Sequence, residues 1–282
     1  MQWVVITGAT SGIGLAVAQK LAAQGYGVLG VGRSADRCQQ AQARIQQSYP
    51  QARTQYFCAD LMQQRQVHRV ADQLCAHLAE HADGALHALI NNAGCVRGWY
   101  TTTEEGYEQQ FALNHLAGFL LTYLLLPALQ RGRGRVIITG SNSHKGARVH
   151  WPDVMLQHHY GPLRAYKQSK LCNLLFAAGL NSRLAGQGIR ACAVDPGLVH
   201  TDIGNKDAGG LVSFVWGLRK GHGVPPDVPA ATYAALCGQD APPPALYYYD
   251  GHPRRYSRRV TEASANRLFE LSERLCGIAY EA

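Results

Sequence analysis

No two of the eight cysteines form a CxxC pair, and their positions follow no regular spacing. That excludes a disulfide framework and a structural zinc site, and it suits a reducing compartment. A long hydrophobic run is equally absent: the most apolar stretch, 119–129, contains Pro127 and is too short to cross a bilayer. It reads as a buried helix. Charge is sparse, at 16% of 282 residues, while 46% are apolar, so disorder is excluded and a sizeable core can form. The chain enters a β-rich run at once, Gln2-Trp3-Val4-Val5-Ile6, which leaves no room for an export signal. A cytoplasmic location is the expectation. His77 and His81 stand one helical turn apart, but no third ligand or HExxH pattern accompanies them. A solvated helix face is expected there, and no metal.

The net charge of +8 includes one locally basic segment, Arg254-Arg255-Tyr256-Ser257-Arg258-Arg259. Such a segment suits nucleic acid or acidic lipid. No nucleic-acid motif accompanies it, and Glu262, Glu270 and Glu273 follow closely, so it is read as a solvated surface.

What is present is alternation. Short β-rich runs at 2–6, 26–32, 54–58, 86–90, 135–139 and 189–194, with a last one near 246–248, are separated by helical stretches. This is the pattern of βαβ units, and right-handed crossovers turn it into a single α/β domain: a doubly wound, mostly parallel sheet of the Rossmann type. Two regions break the alternation, 144–161 and 204–229. The second, with Leu211-Val212-Ser213-Phe214-Val215-Trp216 at its centre, is read as a small substrate lid. Apolar positions Leu268, Leu271, Leu275 and Ile278 give 263–277 a helical spacing, and that helix is expected to pack on the domain or on a twin subunit.

Tyr166 and Lys170 lie four apart, so on a helix they share a face. A lysine ammonium beside a phenol favours the phenolate and is expected to bring its pKa down from about 10 toward neutrality. A tyrosine so tuned can exchange a proton with a carbonyl oxygen.

Far upstream, Gly8-Ala9-Thr10-Ser11-Gly12-Ile13-Gly14 follows the first strand directly and opens a helix. Gly8 permits the turn, Gly12 lets the main chain approach a pyrophosphate, and Gly14 allows helix and strand to pack closely, with Thr10, Ser11 and Ile13 lining the same turn. A dinucleotide is the expected ligand. At the end of the second strand, Val31-Gly32-Arg33-Ser34 carries no acid to grip a ribose 2′-hydroxyl. Arg33 and Ser34 suit a 2′-phosphate instead, so NADP(H) is the expected cofactor.

Taken together, Thr7-Gly8-x-x-x-Gly12-x-Gly14, Asp60-Leu61, Asn91-Asn92-Ala93-Gly94, Asn114, Ser141, Tyr166-x-x-x-Lys170 and Pro196-Gly197 resemble the short-chain dehydrogenase/reductase superfamily, in family order. The run from Asn114 to Thr122 and the long spacing between Ser141 and Tyr166 resemble its retinol dehydrogenase and WW-domain oxidoreductase branch. The stretch from Ala165 to Asn173 is also similar to light-dependent protochlorophyllide reductases, which reduce a ring double bond. The hydrophobic N-terminal anchor usual in membrane-bound retinol dehydrogenases is not found here.

The resemblance implies roles. Tyr166 is the general acid/base, Lys170 holds the nicotinamide ribose and tunes the phenol, and Ser141, with Ser143 as the fallback, binds the substrate oxygen. Asn114 would hold a water that leads protons from Lys170 to solvent; the alternative is a buried asparagine satisfying a bent helix. Asp60 and Leu61 would meet the adenine, Asn91, Ala93 and Gly94 the adenosine side, and Pro196, Gly197, Val199 and Thr201 the nicotinamide. The implied function is an NADP-dependent oxidoreductase for a hydrophobic carbonyl or alcohol; aromatic segments around Trp99-Tyr100, Trp151 and 214–216 motivate that substrate class. A double-bond reductase and a non-catalytic NADPH sensor are the alternatives. A homodimer or homotetramer is a family expectation.

Overall fold

Alternation along the first strand sets up the two sides of the molecule. In β1 (Trp3–Thr7) every residue is buried, with Trp3 and Val5 pointing into one apolar cluster and Val4 and Ile6 into another. A strand buried on both faces belongs in the middle of a parallel sheet.

The computed structural model of the chain describes residues 1–199 and 223–280. After β1 come α1 (Gly12–Ala23), β2 (Gly27–Gly32), α2 (Ala35–Ser48), β3 (Thr54–Cys58), α3 (Gln64–His81) and β4 (Ala88–Asn91). A composite helix follows: one α turn (Gln109–Phe111), a π-helical turn (Ala112–Leu116), then α4 (Ala117–Leu124) and α5 (Leu126–Arg131). The second half holds β5 (Arg135–Thr139), α6 (Pro162–Arg183), β6 (Arg190–Asp195), α7 (Asp227–Cys237), β7 (Tyr247–Tyr249), β8 (His252–Pro253) and α8 (Glu262–Cys276). The sheet order is β3-β2-β1-β4-β5-β6-β7-β8, parallel throughout except for the antiparallel β8. The order reverses between β1 and β4, and in such sheets ligands bind at the carboxyl ends of the strands at that reversal.

One face is covered by α1, α2 and α7 through Val17, Leu21, Ile45 and Tyr233. The other is covered by α3, α4, α6 and α8 through Leu74, Phe119, Phe176 and Phe269. Each such fully buried side chain contributes on the order of 2 kcal/mol of transfer free energy. The last helix, α8, packs on α6 of its own domain through Phe269. It starts at the cap Thr261, whose hydroxyl accepts from Ser264 N at 3.2 Å, and stops at the left-handed Gly277.

Several expectations need correcting. The apolar run at 119–129 is two helices, because Leu125 leaves helical geometry ahead of Pro127. The edge strand β8 was not foreseen; at two residues with a proline it carries almost no sequence signal. Of the expected lid, residues 204–222 lie outside the described residues, and its last positions, 227–229, open α7, which packs on α1. His81 is exposed as expected, while His77 is half-buried, its ring packing edge-on against Trp3 at 4.8 Å and stacking on His81 at 4.2 Å. Among the described residues no three His, Cys, Asp or Glu side chains cluster as metal ligands, and no helix is long and apolar enough to cross a membrane.

Candidate active site

At the reversal point a cleft of about 640 Å³ opens beside the glycine turn. Gly8, Thr10, Ser11, Gly12, Ile13, Arg33, Ser34, Asp60, Leu61, Ala93 and Gly94 all line it. Gly8 and Gly12 have φ of 66° and 53°, left-handed values that favour glycine. Gly14 lies behind the turn, where a Cβ would press on the Gly8 carbonyl and on Asn92. Ser11 caps α1 without a side-chain bond to the first-turn amides, which leaves those donors to a ligand. These features fit the phosphates of a dinucleotide.

The specificity corner lies at the other end of the cleft. Ser34 is the N-cap of α2 and accepts from Arg37 N at 3.4 Å, so Arg33 and Arg37 flank one helix start. With Arg97 they make the cleft strongly cationic against the single carboxylate of Asp60. Arg37 was missed from the sequence, although its place one turn after Arg33 was readable. Asp60 also closes its own turn, its carboxylate accepting from Met62 N at 3.1 Å.

Asn91 departs from expectation. Its side chain does not line the cleft but turns into the core, donating to Thr122 Oγ1 at 3.0 Å and to the Gly118 carbonyl at 3.4 Å. The last residue of β4 faces α4, and Gly118 supplies the space. Asn92 lines the cleft instead, tying β4 to the glycine turn through Thr7 O at 3.0 Å and Gly8 O at 3.4 Å.

The cleft leads to the helix α6 cluster at Gly94, where an added Cβ would stand 3.1 Å from Asn114 Oδ1 and 3.9 Å from Lys170 Nζ. Tyr166 and Lys170 share one face of α6, with the ammonium 5.6 Å from the phenol ring centre. Lys170 Nζ donates to Thr139 O, at the end of β5, at 2.9 Å. Ser141, two residues further on, caps a short 3-10 turn, accepts from Ser143 N at 3.3 Å and hydrogen-bonds the Tyr166 phenol. Of the two candidate serines, Ser141 is therefore the one joined to the tyrosine.

Asn114 sits in the π turn. Its Oδ1 accepts from Cys95 N at 2.7 Å, and its Nδ2 donates to Cys95 O at 3.1 Å and to Ser169 Oγ at 2.9 Å. Ser169 and Asn173 were not anticipated, yet they lie on the Tyr166 and Lys170 face; Asn173 Nδ2 shares the Thr139 carbonyl at 3.1 Å.

Burial dominates the electrostatics. It pushes the Tyr166 phenol up to about 12, opposed by the Ser141 hydrogen bond and reinforced by the Asp195 carboxylate. It also lowers Lys170 to about 8, with Cys95 and Asp195 pulling the other way. The downward phenol shift expected from the lysine is thus reversed in the protein alone. The physical reason is desolvation: the phenolate loses more by leaving water for this buried pocket than the Ser141 hydrogen bond offsets.

Asp195 closes the site from β6. Its Oδ1 accepts from Gly197 N at 3.0 Å and its Oδ2 from Tyr247 OH at 2.8 Å. This fixes the Pro196-Gly197 turn, where Gly197 has φ of 71°. Val199 bridges to Val224. Thr201 lies outside the described residues.

Residues 2–209 match the short chain dehydrogenase family. The chain belongs to it. This short-chain dehydrogenase is 34% identical to retinol dehydrogenase 12 of Mus musculus over 283 residues, spanning 99% of the chain and 87% of the relative. It is 36% identical to the polyprenol dehydrogenase of Mus musculus over 206 residues, 71% of the chain and 60% of the relative. Its place is in the retinol dehydrogenase-like branch of the superfamily. Among solved structures, a protein from Mycobacterium Paratuberculosis superposes with a TM-score of 0.80 at 30% identity, covering 100% of this chain and 96% of the other. An alcohol dehydrogenase from Thermococcus sibiricus, complexed with 5-hydroxy-NADP, shares the fold with a TM-score of 0.68 at 21% identity, covering 91% and 99%. The short-chain dehydrogenase is accordingly an oxidoreductase, and a nicotinamide cofactor is supported.

Proposed function

We propose that this oxidoreductase uses NADP(H) and acts on a hydrophobic carbonyl or alcohol, with Tyr166 as the proton-transfer group. The observation that carries the reading is the joining of Ser141, Tyr166 and Lys170 at the carboxyl end of the sheet, one glycine away from a cationic dinucleotide-shaped cleft.

The cofactor supplies or accepts a hydride when bound. The chain does the rest. Arg33, Arg37 and the start of α2 favour a 2′-phosphate through charge-assisted bonds. A phenol with its pKa near 12 is protonated at neutral pH, the form required to donate to a carbonyl oxygen. The Ser141 hydroxyl is placed to share the charge that builds on that oxygen. Lys170 stays cationic up to about pH 8 and so favours the phenolate left after proton transfer. Asn114 holds the Cys95 and Ser169 ends of this cluster together, and a water beside it would connect Lys170 to solvent.

The reading is tested by screening NADPH and NADH oxidation over aldehydes, ketones and enones of graded chain length, with product analysis. Saturation of an enone double bond in place of a carbonyl would overturn it, as would a clear preference for NADH.

A further inference from the structure

We propose that the loop 254–259, with Lys145 and Arg148, is a docking surface for an anionic phospholipid bilayer that turns the active-site mouth toward lipid-dissolved substrate. The part concerning substrate rests on the hydrophobic-substrate reading above; the docking itself does not.

Charge is the first ground. Lys145, Arg148, Arg254, Arg255, Arg258 and Arg259 are all exposed, and neither 141–151 nor 251–261 contains an acidic residue. The salt bridges among the described residues lie elsewhere, at Arg65–Glu104 and Glu80–His81. Asp250 and Glu262 stand at the two ends of the loop, and no salt bridge among the described residues joins either to these six exposed cations.

Anchoring is the second. Ser257, in the middle of the arginine run, is buried, and its backbone amide donates to His144 Nε2 at 3.2 Å. This pins the loop to the segment that carries Ser141 and Lys145, so two distant stretches of cations meet on one side of the protein. At the other end, Arg254 stacks over Tyr249 at 5.9 Å, and the Tyr249 ring lies 3.2 Å from where a Cβ of Gly197 would be. The basic surface thus touches both rims of the catalytic pocket.

Apolar exposure decides the partner. Tyr249, Tyr256, Leu198 and Val224 are each exposed by 37–43%; Tyr249 lies under Arg254 and against the Gly197 turn that leads into Leu198, and Val224 N donates to Leu198 O at 2.9 Å, which holds the two aliphatic residues together. A nucleic acid offers phosphates to arginine and bases to tyrosine, but nothing to exposed leucine and valine. A bilayer surface offers headgroup phosphates to the guanidinium forks, an interfacial layer to tyrosine and acyl chains to the aliphatics.

The test is flotation with vesicles of phosphatidylcholine alone or mixed with phosphatidylserine, using the full chain. The expected result is binding to the mixed vesicles only, released by high salt. Arg255→Ser/Arg258→Ser/Arg259→Ser should weaken that binding by roughly fivefold per arginine, whereas a charge-matched control, Arg44→Ser/Arg53→Ser/Arg190→Ser, should keep it. Turnover of a short, water-soluble carbonyl should be unchanged in the first variant, and turnover of a long-chain carbonyl carried in the mixed vesicles should fall with binding. No flotation of the wild type, equal loss in the control, or structured RNA displacing the vesicles would overturn the proposal. Flotation without turnover of any carbonyl would sink the functional reading and leave the docking surface standing.

Discussion

His144 Nδ1 lies 2.6 Å from the carbonyl oxygen of Ser141. Because Nε2 accepts from Ser257 N, the proton sits on Nδ1 and the ring is neutral; burial lowers its pKa further from protonation. The ring also packs edge-on against Tyr247 at 4.8 Å, whose hydroxyl holds Asp195. His144→Phe keeps the packing and removes both bonds. Leaving the Ser257 amide unpaired should cost about 1–3 kcal/mol in urea unfolding, and loosening Ser141 should lower kcat more than it changes cofactor affinity.

Asp195 raises the pKa of both Tyr166 and Lys170. Asp195→Asn keeps an acceptor for Gly197 N while removing the charge. The pH–rate curve for alcohol oxidation should therefore move to lower pH, since the phenolate forms more readily. An unmoved curve would mean that the carboxylate acts only as a turn-former.

For Tyr166→Phe, turnover should fall by about 10²–10⁴-fold, with the dissociation constant for NADPH changing little by fluorescence titration. In the wild type, carbonyl reduction should decline above about pH 8, as Lys170 loses its charge. Oxidation should rise with pH as the phenol approaches its pKa near 12.

Cofactor choice should follow the arginines. Replacing Arg33 and Arg37 together by Ala should raise the NADPH dissociation constant by at least about tenfold, since each charge-assisted bond contributes roughly 1.5–3 kcal/mol. NADH binding should be nearly unaffected, and isothermal titration separates the two.

His115 is enclosed by Phe111, Phe119 and Phe176, bonds Ser272 Oγ at 2.8 Å, and has its pKa lowered from 6.5 to about 3 by burial. A histidine with a depressed folded pKa favours folding fully above pH 6.5, and that contribution is lost as pH falls toward 3. The loss should approach the order of 4 kcal/mol at the acid end. Unfolding midpoints measured from pH 7 to pH 4 should therefore fall more steeply in the wild type than in His115→Leu, compared as slopes because the leucine also gives up the Ser272 bond.

Much of the fold was legible because parallel strands buried on both faces are written as short apolar runs, and six of the seven expected strands start within one residue of those observed. The fourth starts two residues late, at Ala88. The two-residue β8 and the π turn at 112–116 were not legible, since neither has a hydrophobic period of its own. At the site, Tyr166 and Lys170 were readable from helical spacing and the glycine turn from its place after β1. Asn91 was misplaced because adjacent strand residues point to opposite faces, and motif order alone does not say which of Asn91 and Asn92 meets the cleft.

The sequence by itself determined the parallel sheet, the family and the side chains available for proton transfer and phosphate binding, because local periodicity and motif order encode them directly. Only the tertiary structure decided that the phenol is raised and not lowered, that Ser141 is the serine joined to it, and that His144, Asp195 and Tyr247 support the site. These depend on desolvation and on contacts between segments up to 113 positions apart, as between His144 and Ser257, and no local pattern records such distances.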